Sequence, residues 1–221
     1  MGLVPNAVVC QYADGEETRF PKDGEPMNGN ILEEFGKWLF QEKHRHFTII
    51  AHNFRAFDGH FILKYMLDND LRPEVIKRGT QLLDLRYPKL NICARDTLNF
   101  CALKLSQFPK AVGLQGVTSK GAFPHFANKP ENWDKIIPFP TPTEYGADRM
   151  SEKERKDFFV WWTDECLSMR GRFDFRKEIK DYCSDDVTVL RLCALKFRED
   201  FIGLCQVDPF KSVTIAAACQ K

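Results

Sequence analysis

The chain has 221 residues, of which 43% are hydrophobic and 13% aromatic, enough for one large domain or two small ones with a substantial core. Its 32 Lys and Arg residues nearly balance 31 Asp and Glu residues, and the net charge is +1. This balance excludes a globally basic nucleic-acid-binding protein, so any site for nucleic acid must be a local patch.

The predicted elements alternate between strands and helices along the chain. Short apolar runs predict strands at 6–12, 47–51 and, in two or three segments, 75–96, with Arg19-Phe20 as a short hairpin partner of the first. Helical spacing of apolar residues predicts helices at 31–41, 58–67, 152–168 and 177–205. The Pro-rich stretch 123–150 is expected to be mostly loop. This order predicts an α/β domain with one mixed sheet.

The eight cysteines and the apolar segments indicate the compartment. The cysteines form no Cys-x-x-Cys pair and no zinc-type spacing with His. No stretch approaches the roughly 18 apolar residues of a membrane span, and residues 1–10 lack the pattern of a signal peptide. We therefore expect free thiols in an intracellular protein, nuclear or cytoplasmic, with no membrane partner.

The first candidate cluster is the stretch HNFRAFDG at 52–59, which follows the predicted buried strand and opens the next helix. Asp58 would then lie near the carboxyl end of a strand, where open α/β sheets keep their sites. The alternative is structural, because Asp is also a preferred helix N-cap residue.

The second candidate cluster lies in the last predicted helix. Tyr182 and Asp186 are four residues apart and share one face of that helix. An apolar stripe beside them predicts that Asp186 borders the buried side, where a carboxylate needs a cation or a metal as partner. A neighbouring Lys or Arg and a metal ion both satisfy this requirement.

Together the two clusters resemble known motifs. Asn-x-x-x-Phe-Asp ending at Asp58, with a later Tyr182-x-x-x-Asp186, resembles the second and third exonuclease motifs of family B DNA polymerases. The resemblance runs through essentially the whole chain and is to the protein-primed, organellar and viral type, above all the polymerases of Maverick/Polinton transposons, with adenoviral and small-phage enzymes more distant. The stretches that carry it include VPNAVVCQY, AHNFRAFDGHFIL, DTLNFCALKLSQFPKAVGL, KGAFPHFAN, MSEKERKDFFVWW, FDFRKEIKDYCSDDVTVLRLC and DPFKSVTIAAAC.

The resemblance implies a ribonuclease-H-like 3′–5′ exonuclease domain, a mixed sheet flanked by helices. Such enzymes use two divalent ions, and Mg²⁺ or Mn²⁺ prefers carboxylate ligands. By resemblance, Asp58 and Asp186 are catalytic metal ligands, and the Tyr182 hydroxyl orients the attacking water or the scissile phosphate. Asp185 is interpreted as a solvated neighbour.

The implied partner is DNA, as a single-stranded 3′ end or a primer-template, with a terminal protein primer as a further partner in the family. His52, Asn53 and Phe57 would hold the primer end, and the Phe57 ring offers a face for base stacking. Thr97-Leu98 resembles the additional motif that binds single strands. Lys120 would support the scissile phosphate.

The chain departs from the family pattern at both ends. The family's first motif, Asp-x-Glu on the central strand, lies upstream of the segment resembling VPNAVVCQY, which here starts three residues after Met1. The strings at Asp14-Gly-Glu16 and Asp23-Gly-Glu25 are interpreted as turns. We expect a fold that lacks its first, central strand and a chain that is inactive alone. Residues 1–205 would form the truncated exonuclease domain and 206–221 the start of the polymerase portion.

Three functions follow from these observations. In the first, the chain is a fragment of a transposon- or virus-derived DNA polymerase. In the second, it is an active exonuclease whose missing carboxylates come from a loop or another chain. The third is a domesticated module that binds single-stranded DNA or a protein without cleaving it.

Overall fold

The computed structural model describes residues 4–27, 29–117 and 122–220. Its strands are β1 (Val8–Gln11), β2 (Glu17–Phe20), β3 (Thr48–Ala51), β4 (Glu74–Arg78), β5 (Gln81–Tyr87), β6 (Ile92–Asp96), β7 (Ile136–Pro138) and β8 (Arg172–Asp174). Its α-helices are α1 (Ile31–Leu39), α2 (Asp58–Asp68), α3 (Phe108–Ala111), α4 (Glu152–Ser168), α5 (Phe175–Cys205) and α6 (Ile215–Cys219).

The central feature is a mixed four-stranded sheet in the order β3-β6-β5-β4. β3 and β6 are parallel, and the other two pairings are antiparallel. Strands β1 and β2 form one two-stranded sheet, and β7 and β8 form another. The prediction of an α/β chain with a mixed sheet flanked by helices is confirmed.

The long helices lie where local sequence signals put them. α4 has the predicted bounds. Its start is fixed by a capping box, in which the Ser151 hydroxyl accepts from the Glu154 N–H at 3.3 Å and Glu154 Oε2 accepts from the Ser151 N–H at 3.0 Å. α5 begins at Phe175, two residues before the predicted start. The predicted loop 123–150 contains one short strand, β7, whose partner β8 was also missed because strands of three residues carry almost no periodic signal.

The chain divides into two compact units. The first comprises the described residues within 1–9, 19–31 and 119–185. Its interior is an aromatic core that includes Phe123, Phe139, Phe158, Phe173 and Phe175. Aromatic rings bury large apolar areas, so this core stabilises the short turns of residues 123–150.

The second unit comprises the described residues within 10–18, 32–118 and 186–221 and contains the four-stranded sheet. The carboxyl half of α5 covers one face of the sheet, where Ile50 of β3 packs against Val189 and Leu190. Residues 206–220 belong to this unit, and the predicted division of the chain at 205/206 stays a prediction.

Two further features concern the cysteines and the helices. All eight cysteines are free thiols. Within the part of the chain that the structure describes, no helix has the length and apolar character required to cross a membrane.

Candidate functional site

The candidate site lies at the edge of the sheet where the parallel strands β3 and β6 end. Ala51 and Asp96, the last residues of these strands, are partners in the ladder. The segments that follow them, starting at His52 and Thr97, therefore leave the sheet side by side. This register brings together two motifs that are 45 residues apart in the sequence.

Asp96 ties these two segments together, a role that the sequence did not reveal. Its side chain is fully buried, with 0% exposure. Oδ1 accepts from the N–H groups of Asn53 and Leu98, each at 3.0 Å, and Oδ2 accepts from the N–H of Arg55 at 3.0 Å. The guanidinium of Arg55 lies 3.9 Å from Oδ2. One carboxylate thus holds both turns. In the sequence, this role was indicated only by the position of Asp96 directly before Thr97-Leu98.

His52 and Thr97 are joined by a hydrogen bond of 2.8 Å between Nδ1 and Oγ1. Thr97 is 1% exposed, and its hydroxyl donates to the Ala51 carbonyl at 3.3 Å, so it accepts the proton of His52 Nδ1. Burial lowers the pKa of His52, although the charge of Asp96 opposes this. The neutral ring therefore keeps a hydrogen-bond acceptor at Nε2. The hydrogen bond from Nδ1 to Thr97 fixes the orientation of the His52 ring.

Asn53 and Phe57 are both exposed at this edge. Asn53 adopts a left-handed backbone with φ 66°, a conformation that Asn tolerates better than most residues. Its carbonyl accepts from the N–H groups of Ala56 and Phe57. The Phe57 ring is 50% exposed and packs edge-on against Phe61 at 5.3 Å between centroids. One face of an aromatic ring is thus available for contact with a ligand.

Asp58 is the first residue of α2, and the preceding Phe57 makes no side-chain capping bond. The alternative that Asp58 serves as the N-cap is therefore wrong. Burial raises the pKa of Asp58 to about 6; its own N–H opposes this shift and the charge of Asp96 adds to it. Gly59 allows the start of α2 to pack closely against Phe54, because a Cβ at this position would lie 2.8 Å from the Phe54 carbonyl oxygen.

Strand β1 links Asp58 with α5. Burial raises the pKa of the Cys10 thiol to about 12, and the charge of Asp58 contributes, which places the two side chains near each other. The next residue, Gln11, donates from Nε2 to Thr188 Oγ1 at 2.8 Å and accepts from Arg191 Nε at 2.9 Å. The half-buried Asp186 precedes Thr188 by two residues. Asp58 and the α5 segment that carries Asp186 thus both border β1.

The remaining predicted residues have separate placements. Tyr182 belongs to the first unit, where its ring lies 5.2 Å from Phe123 and 6.0 Å from His125. Leu98 is half-buried and is held through its N–H by Asp96. Lys120 lies outside the described residues.

The described residues do not make up a complete metal centre. Carboxylates such as Asp58 and Asp186 suit Mg²⁺ or Mn²⁺, but a two-metal centre needs several acidic groups in a small volume. In segments 4–27, 29–117 and 122–220, no three His, Cys, Asp or Glu side chains converge closely enough to hold a metal ion.

Comparison with known proteins identifies the family. The family described as DNA polymerase type B, organellar and viral, matches residues 41–221. No curated protein and no solved structure matches the chain. The matched region contains every element of the candidate site except strand β1. It confirms the family predicted from the motifs and implies DNA as the partner. The chain therefore belongs to the organellar and viral type B DNA polymerases.

Proposed function

We propose that this chain carries the ribonuclease-H-like 3′–5′ exonuclease region of its polymerase and binds the single-stranded 3′ end of DNA. The observation that carries the proposal is the fully buried Asp96, whose three backbone hydrogen bonds hold the turns after β3 and β6 at one edge of the sheet. A site that must place a DNA end needs such rigid support.

The exposed groups at this edge suit a nucleotide. The half-exposed ring of Phe57 offers a stacking surface for a base. His52 would accept a hydrogen bond at Nε2 from a base or sugar donor, because Thr97 occupies Nδ1. Asn53 adds an exposed amide that both donates and accepts.

Asp58 and Asp186 would hold Mg²⁺ or Mn²⁺, which when bound activates water and stabilises the leaving oxygen. Because a carboxylate binds metal in its ionised form, the raised pKa of Asp58 makes metal binding weaken below about pH 6. The role of Tyr182 in orienting water or phosphate, a terminal protein as partner and the replication of a mobile or viral element rest on the family resemblance and stay predictions.

A second function, binding without cleavage, is favoured by one observation. In the described segments no third ligand side chain joins the candidate carboxylates. Cleavage would therefore require acidic groups beyond these, and the chain alone would hold a DNA end without shortening it.

The test uses the 221-residue chain with 5′-labelled single-stranded DNA, with and without Mn²⁺. Asp186→Asn is compared with Asp185→Asn, a matched change at the neighbouring position. Mn²⁺-dependent 3′ shortening that only Asp186→Asn loses supports an exonuclease. DNA binding without shortening supports the second function. A folded, monodisperse protein that neither binds nor shortens DNA contradicts both.

A further inference from the structure

Strand β4 forms one edge of the four-stranded sheet. It pairs with β5 on one side, and the backbone N–H and C=O groups of its other side have no strand partner among the described residues. All five residues of the strand, Glu74–Arg78, are exposed to solvent. They include two large apolar side chains, Val75 at 39% and Ile76 at 52% exposure. An exposed edge of this kind can pair with a further strand.

The edge strand itself is regular. Ile76 of β4 pairs with Asp84 of β5. The next residue, Lys77, pairs with Leu82, so the register shifts by one and the extra residue lies in β5. The side chains of β4 therefore alternate between the two faces of the sheet without interruption.

The two cations of β4 have no acidic residue directly beside them in the ladder. Lys77 lies opposite Leu82, and Arg78 lies opposite Gln81. The carboxylate of the strand, Glu74, is at its other end. β4 thus carries a negative charge at its start and two positive charges at its end, a pattern that an antiparallel copy of the same strand complements.

The complementarity is complete when a two-fold axis passes through Ile76, perpendicular to the sheet. Each Ile76 then lies opposite Ile76 of the second copy, and Glu74 lies opposite Arg78 on both sides of the axis. Opposite charges directly across an antiparallel pair stabilise it. Val75 lies opposite Lys77, whose aliphatic stem covers apolar surface while its ammonium group stays in water.

The neighbouring registers are less favourable. Such an axis keeps every side chain on its own face, so the alternatives place the axis at Val75 or at Lys77. An axis at Lys77 sets two like charges opposite each other. An axis at Val75 forms no opposite-charge pair and brings Pro73, which has no N–H, into the ladder.

We propose that this protein forms a two-fold dimer through β4, in which the sheets of two copies join into one continuous sheet. A strand of five residues covers far less than the roughly 800 Å² per partner of a standard interface, so the dissociation constant is expected on the order of 100 µM. The proposal does not depend on the exonuclease proposal, because β4 is the edge of the sheet opposite β3, where the candidate site lies.

The test is sedimentation velocity of the 221-residue chain from about 10 to 500 µM, with a reductant because Cys205 and Cys219 are exposed thiols. The wild type should shift from monomer towards dimer as its concentration rises. Glu74→Arg and Arg78→Glu each turn both charge pairs into like-charge pairs, and each should weaken dimerisation by about tenfold or more. A wild type that stays monomeric over the whole range overturns the proposal.

An equimolar mixture of the two single variants tests the register. In a mixed dimer, Glu74→Arg of one copy meets Arg78→Glu of the other, and the unchanged Arg78 meets the unchanged Glu74. Both pairs are again of opposite charge, so the mixture should dimerise about as well as the wild type although neither variant does so alone. A mixture that stays monomeric under conditions where the wild type dimerises would overturn this pairing.

A central substitution and a matched control complete the test. Ile76→Lys places two like charges at the axis and should abolish the dimer. Val160→Lys makes the same kind of change at a position of α4 that is 67% exposed, and it should leave dimerisation unchanged. Near-UV circular dichroism checks that each variant keeps the native fold. Dimerisation that survives Ile76→Lys would show that another surface is used and would overturn the proposal.

Discussion

The surroundings of Asp58 oppose the negative charge of its carboxylate. Its pKa is raised from 3.8 to about 6, with burial as the main cause. The folded state therefore binds a proton more tightly than the unfolded state between about pH 4 and 6. The contribution of Asp58 to the free energy of unfolding is favourable at low pH and is lost as the pH rises through this window.

Replacing this carboxylate by an amide should stabilise the protein at neutral pH. We expect Asp58→Asn to raise the free energy of unfolding at pH 7.5 by about 1–3 kcal/mol and to have little effect at pH 4. Urea denaturation at both pH values measures this difference. Asp157→Asn, at an exposed position of α4, serves as the control. Equal destabilisation by Asp58→Asn at both pH values would contradict the argument.

Phe57 is the exposed aromatic residue of the candidate site. We expect Phe57→Ala to weaken binding of single-stranded DNA by about 1–3 kcal/mol through lost stacking. The salt dependence should stay unchanged, because no charge is removed. Fluorescence anisotropy measures both quantities. Phe159→Ala is the matched control, since that ring is 43% exposed on α4, and a similar loss in both variants would count against a specific stacking role.

At the scale of elements, the candidate site depends on two turns that one carboxylate holds. Without Asp96, three backbone N–H groups in a partly buried place would lose their acceptor. Such groups are costly to leave unsatisfied, so the turns would rearrange or the unit would unfold more easily.

We expect Asp96→Ala to lower the free energy of unfolding by about 3–5 kcal/mol. Asp14→Ala is the comparison, because exposed Asp14 accepts a single backbone bond, from Glu16 at 3.0 Å, and should cost no more than about 1 kcal/mol. Chemical denaturation followed by circular dichroism provides both values. A cost below 1 kcal/mol for Asp96→Ala would show that the turns are held by other means.

At the scale of the whole molecule, residues 206–220 belong to the second unit and contact its core. Phe210 is 7% exposed and lies edge-on to Phe100 at 5.3 Å. Its carbonyl accepts from Arg95, and Asp208 pairs with Arg198 at 2.7 Å. These contacts indicate that residues 206–220 stabilise the unit that contains the sheet.

We expect Phe210→Ala to destabilise the chain by about 3–5 kcal/mol, as for other buried aromatic residues. Leu204→Ala, at a side chain that is 85% exposed, should change stability by less than about 0.5 kcal/mol. Thermal and urea unfolding of both variants measure these changes in stability. A negligible effect of Phe210→Ala would instead support the predicted boundary at 205/206.

Most of the secondary structure followed from local signals. The α4 helix was predicted to the residue from its helical pattern, and the structure shows that a capping box begins it. β7 and β8 were missed because each has three residues and exists only through its partner. Among the site residues, the stretch 52–58 was found through its motif, whereas Asp96 carried no motif of its own.

The sequence by itself determined the long helices, the alternation with strands and the family, since periodicity, capping and motif order are local or linear properties. Only the tertiary structure decided which side chains meet. The buried role of Asp96 depends on the register of β6 against β3, which sets Asp96 beside Ala51. Register is set by packing between segments distant in the chain, and a shift of one residue would turn the Asp96 side chain to the other face of the sheet.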